Sequence, residues 1–185
     1  MERKSISNKP YLIGYHTQEY RSNAHALEEP IKCKGKTAWL GVGYYFWTEI
    51  EFAHYWGEDF KKRATGYYDI YKANINIENC LNTVFNEEGY FFFKTKIEET
   101  IEYFKQKNIY VTLEQVHKFL ADNIWNDIGV ECIMYDDKPV NSFKSDRIYS
   151  EIPDLYFKKR IQIVVFNLKN VINFVLYLEE QQYNA

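Results

Sequence analysis

The sequence predicts an α+β fold built on a split, mainly antiparallel β-sheet with flanking helices. Apolar residues make up 46% and charged residues 26% of the 185 positions, the balance of a chain that buries a core and not of a disordered or collagen-like one. Strand-patterned segments alternate with helically spaced ones in an irregular order, unlike the regular βαβ series of a parallel sheet. The length suits a single domain over residues 1–185, with a core from about 11 to 178.

Taken in order, a short strand is expected over residues 11–15, bounded by Pro10 and closing at His16. Residues 22–29 read as a short helix stopped before Pro30. A loop with Gly35, Gly41 and Gly43 leads into an aromatic strand over 44–47. Residues 49–63 form an amphipathic helix, Ile50, Phe52, Ala53, Trp56 and Phe60 facing inward and Lys61, Lys62 and Arg63 complementing its C-terminal dipole. A strand over 67–77 continues into 79–82. Helical spacing runs from 95 to 123, broken at 108–111, and strands return at 129–135, 160–166 and 171–178. Residues 136–154 read as a polar loop and 179–185 as a polar tail.

Composition excludes several functions. The net charge of −3 leaves no whole-molecule field to draw the chain onto nucleic acid, so any polyanion contact is local. Cys33, Cys80 and Cys132 are odd in number and widely spaced, which argues against a disulfide framework or a zinc knuckle and for a reducing, cytoplasmic setting. No stretch approaches membrane-spanning length. Gly41-Val42-Gly43 lacks the third glycine of a dinucleotide-binding turn and enters a strand, not a helix. His16, His25, His54 and His117 lack metal-ligand spacing, so no metal is expected. Aromatics reach 18%, a surplus that either thickens the core or lines a site for planar ligands.

What remains is a set spread over three strands: Tyr15-His16-Thr17, then Trp39-Leu40-Gly41-Val42-Gly43-Tyr44-Tyr45-Phe46-Trp47, then Ile161-Gln162-Ile163-Val164-Val165. In these motifs the chain resembles the ADP-ribosyltransferase superfamily, in the His-Tyr-Glu branch shared by diphtheria toxin and poly(ADP-ribose) polymerase catalytic domains. It is similar there to small bacterial and phage proteins with the patterns Y-H-G-T, W-L-G-x-G-I-Y-F-W and I-Q-I-x-V. The resemblance spans residues 11 to about 176.

The resemblance implies NAD as substrate, bound in the cleft of a split antiparallel sheet. His16 would hydrogen-bond the adenosine ribose and the backbone of Thr17 the carboxamide, although the family usually has glycine at that position. Tyr45 and Trp56 would sandwich the nicotinamide, a planar cation between two rings at about 1–2 kcal/mol each. Gln162 stands where the family has a catalytic glutamate. Its amide brings no negative charge, at a cost of about 2–4 kcal/mol of transition-state stabilisation, and Asp136 and Asp137 are candidate replacements. The implied activity is mono-ADP-ribosyl transfer to a macromolecular acceptor, protein or nucleic acid, by a toxin, an effector or a component of phage conflict, and the implied partners include a neutralising protein. The alternatives are a non-catalytic NAD- or ADP-ribose-binding module and an NAD glycohydrolase.

Taken singly, the same residues have plainer readings. His16 is then a strand-end histidine, Tyr45 and Trp56 are core, and Gln162 lies on an exposed edge strand. The repeated tetrads Phe60-Lys61-Lys62-Arg63 and Phe157-Lys158-Lys159-Arg160 read first as solvated element ends, and otherwise as an anion-binding rim.

Overall fold

A computed structural model describes residues 10–21, 26–35, 38–137 and 159–179. They form an α+β architecture on one seven-stranded sheet, with strand order β4-β5-β6-β2-β1-β3-β7. The strands are β1 (Tyr11–Glu19), β2 (Tyr44–Trp47), β3 (Tyr68–Asn76), β4 (Cys80–Asn82), β5 (Cys132–Asp136), β6 (Ile161–Val165) and β7 (Val171–Glu179). All neighbours are antiparallel except β4 and β5. The helices are α1 (Ile50–Trp56), α2 (Lys62–Thr65), α3 (Glu87–Gln106) and α4 (Leu113–Leu120).

The sheet is split at its middle. β1 runs beside β3 in register along its whole length, from Tyr11 opposite Asn76 to Glu19 opposite Tyr68. Against β2 it is in register only at Tyr15 opposite Trp47. Further along the same edge of β2, Cys33 and Gly43 exchange backbone hydrogen bonds of 2.8 and 3.2 Å. That edge is thus shared between β1 at one end and the segment around Cys33 at the other, with Tyr45 over the gap.

Strand alternation assigns the faces. Phe46, Ala73, Ile75, Met134, Ile163 and Val165 form one core cluster that joins the two halves of the sheet. Gly14 makes this junction possible, because a Cβ there would lie 2.9 Å from both Ile75 Cγ1 and Phe46 Cβ. On the opposite face, α3 and α4 bring Phe93, Val116 and Leu120 onto Ile133 and Val164. There α1 brings Phe52 and Ala53 onto Trp47 and Ile70.

Local chemistry explains the helix boundaries. Asn86 caps α3 by accepting from Gly89 N at 3.2 Å, with Glu87 and Glu88 in the first turn. Thr112 and Gln115 form a capping box at α4. A π-helical turn, Gly57–Lys61, joins α1 to α2, and the bare Gly57 backbone lies where any Cβ would overlap the Tyr68 ring.

Five expectations need correction. Phe60, expected to face inward, is exposed and stacks on Trp56. Residues 26–29 of the expected helix are not helical, and 22–25 lie outside the described residues. β4 does not continue β3 but sits at the other end of the sheet, after a turn in which Cys80 N donates to Ile77 O. α3 begins at Glu87, not 95, because Asn86 caps it early. β1 runs past His16 to Glu19 through its pairing with β3. Most of the expected polar loop and tail lies outside the described residues.

Candidate functional site

The gap between β1 and β2 opens into a cavity of about 390 Å³, within the usual range for small-molecule sites. His16, Thr17, Tyr45, Trp56 and Gln162 all line it. Residues read from three separate motifs therefore share one hollow.

His16 sits at the split. Its Nδ1 lies 2.9 Å from the Tyr45 main-chain oxygen, which only accepts, so Nδ1 carries the proton. Burial, reinforced by the nearby Lys61 ammonium and opposed by the Tyr45 hydrogen bond, lowers the imidazole pKa to about 4. The ring is neutral at pH 7, and Nε2 is a lone-pair acceptor. That atom is buried and without a hydrogen-bond partner among the described residues. Such an orphan calls for an explanation, and a ligand hydroxyl supplies one.

Thr17 donates its hydroxyl to Ala53 O at 2.8 Å, which ties β1 to α1. The Tyr45 hydroxyl donates to Gly41 O and accepts from Leu40 N, both at 2.8 Å, so it pins the turn over residues 38–41. Gly41 has φ +103°, a left-handed conformation that suits glycine. Burial raises the Tyr45 phenol pKa. Tyr45 therefore offers the cavity a ring and not a hydroxyl. Trp56 stacks on Phe60, with centroids 4.1 Å apart and planes at 26°, so one indole face is already covered.

Gln162 is on β6, an interior strand, and only 6% exposed, which overturns the edge-strand reading. Trp39 Nε1 donates to its Oε1 at 3.0 Å. Because an indole N–H can only donate, this bond fixes the amide orientation and leaves the NH2 group for other partners.

Among the further residues that line the cavity, Asp137 is in the sequence reading a candidate replacement for the missing glutamate and Lys61 part of an alternative anion-binding rim, whereas Trp47 and Trp39 have no assigned role there. Trp47 stands opposite Gln162 on β2, and its place two residues after Tyr45 on one strand face was the signal for it. Lys61 reaches the wall from the π-helical turn and pairs with Glu19 at 2.8 Å. Asp137 lines the cavity beyond the end of β5. Trp39 lay inside a quoted motif without a role.

The basic tetrads are not simply solvated ends. Lys61 faces the cavity, and Arg160 lies over the Trp47 ring at 5.3 Å with its side chain 16% exposed. Phe157 and Lys158 lie outside the described residues.

The chain matches no protein-family model, no curated protein and no solved structure. Among the described residues, no group of three or more His, Cys, Asp or Glu side chains is placed to hold a metal ion, and no helix is long and apolar enough to cross a membrane.

Proposed function

We propose that this protein is a mono-ADP-ribosyltransferase with an ADP-ribosyltransferase-like fold, which binds NAD in the cavity at the sheet split, breaks the bond between nicotinamide and ribose, and passes ADP-ribose to a macromolecule. The observation that carries the reading is the orphaned Nε2 of His16, an acceptor buried on the wall that Tyr45 and Gln162 also line. A neutral imidazole held this way accepts from a ribose hydroxyl. The Tyr45 ring and the open side of Trp56 offer aromatic faces to a planar cation, and Arg21 offers a guanidinium to a diphosphate beside the Lys61–Glu19 pair.

The test is incubation with labelled NAD. Wild type is expected to release nicotinamide and label an acceptor, whereas Tyr45→Ala loses a stacking face and binds NAD about tenfold more weakly. His16→Ala is expected to lose most of the release. Equal turnover in all three proteins refutes the assignment.

One observation favours a second reading, a binding module without turnover. With its oxygen engaged by Trp39, Gln162 presents a donor to the cavity, and a donor does not stabilise positive charge developing on the ribose. Calorimetric NAD binding without nicotinamide release, and no gain in Gln162→Glu, would establish that module. An NAD glycohydrolase differs only in product, free ADP-ribose in place of a labelled acceptor.

A further inference from the structure

The negative charge absent from position 162 is available one strand away. Tyr135 on β5 is opposite Gln162, and Asp137 N donates to Arg160 O at 2.6 Å. Two residues past Tyr135, Asp137 falls on the same face, diagonal to Gln162. It also stands between two hollows. A second cavity of about 520 Å³ lies beside the first, and Trp39 and Asp137 line both. The second cavity has Tyr90 and Tyr135 among its walls, with Asp136 and Asp137 against a single ammonium among the described residues, Lys159.

We propose that the second cavity admits the guanidinium of a protein arginine, and that Asp137 is a catalytic residue that takes the proton this group loses as it attacks the ribose. The inference rests on the first cavity being the NAD site. A planar cation suits aromatic walls and pairs with carboxylates, whereas a nucleic-acid phosphate would meet two carboxylates and one lysine among the described residues, on a chain of net charge −3. In the step, the C1′–nicotinamide bond breaks and its electron pair neutralises the pyridinium nitrogen. A guanidine nitrogen lone pair forms the new bond to C1′, and the N–H proton passes to the Asp137 carboxylate and then to water. Burial raises the Asp137 pKa, with Arg160, 3.5 Å away, opposing the rise and Asp136 adding to it, which makes the carboxylate a stronger base.

The experiment uses the full chain, labelled NAD and agmatine as the guanidine probe. Agmatine is expected to speed nicotinamide release and to carry the label. Asp137→Asn is expected to slow transfer about a hundredfold while moving the NAD dissociation constant by less than about threefold, and Asp137→Glu to recover part of the rate. Asp136→Asn is expected to raise the KM for agmatine more than it lowers kcat. Transfer equal in wild type and Asp137→Asn, or label on an oligonucleotide in preference to agmatine, overturns the proposal. If wild type neither binds NAD nor releases nicotinamide, the site reading beneath it falls instead, by a separate readout.

Discussion

His16 couples protonation to stability and to ligand binding at once. Its pKa is near 4 in the folded chain against 6.5 unperturbed, so between these values the unfolded chain binds the proton and the folded chain does not. The stabilisation is present above pH 6.5, is lost as pH falls toward 4, and changes no further below that. A difference of this size is about 3 kcal/mol, and His117, also lowered to about 4 by burial, adds a like contribution. Urea unfolding at a series of pH values is expected to show this slope, and His16→Gln to flatten part of it. An unchanged slope would mean the imidazole is not held neutral. The sequence places His16 at a strand but says nothing of its tautomer, because the Tyr45 carbonyl that fixes it comes from another strand. Gln162 was legible as a lone amide in an apolar run. Its orientation was not, since Trp39 sets it from a loop.

Among the elements, β2 and β6 are legible as short apolar runs, β6 being buried at every position, and β3 alternates only in its second half. α3 is less legible. The run Tyr90-Phe91-Phe92-Phe93 hides its period in unbroken aromatics, of which only Phe93 is buried, and the cap at Asn86 was the overlooked signal. Removing the capping box with Thr112→Ala is expected to cost about 1 kcal/mol in unfolding free energy, since α4 then starts with an unsatisfied backbone donor. Gly14→Ala is a sharper test of the split. Its Cβ would press on Ile75 and Phe46 at once, and overpacking of this kind costs about 1–3 kcal/mol. A Gly14→Ala protein as stable as wild type in urea would show that the two halves of the sheet are looser than described.

Across the whole molecule, the resemblance anticipated five residues of one hollow, His16, Thr17, Tyr45, Trp56 and Gln162, but not the roles of Trp39 and Trp47 in its wall. Asp137 was named as a candidate replacement for the missing charge, but the second cavity it lines arises from strand order, which brings β5 beside β6, and no local pattern encodes that hollow. Ligand linkage gives a test at this scale. NAD at a hundred times its dissociation constant is expected to stabilise the fold by about 2.7 kcal/mol and raise the thermal midpoint accordingly. A midpoint indifferent to NAD counts against the site. The His16 bond to the Tyr45 carbonyl carries one more consequence. The imidazole stands in for a missing rung of the ladder, so it props the seam apart while leaving a single unpaired atom for whatever enters. Truncating it to alanine removes prop and contact together. His16→Asn retains an amide N–H for the carbonyl and deletes only the far nitrogen, so that variant separates a protein that has lost its grip on the sugar from one whose seam has closed.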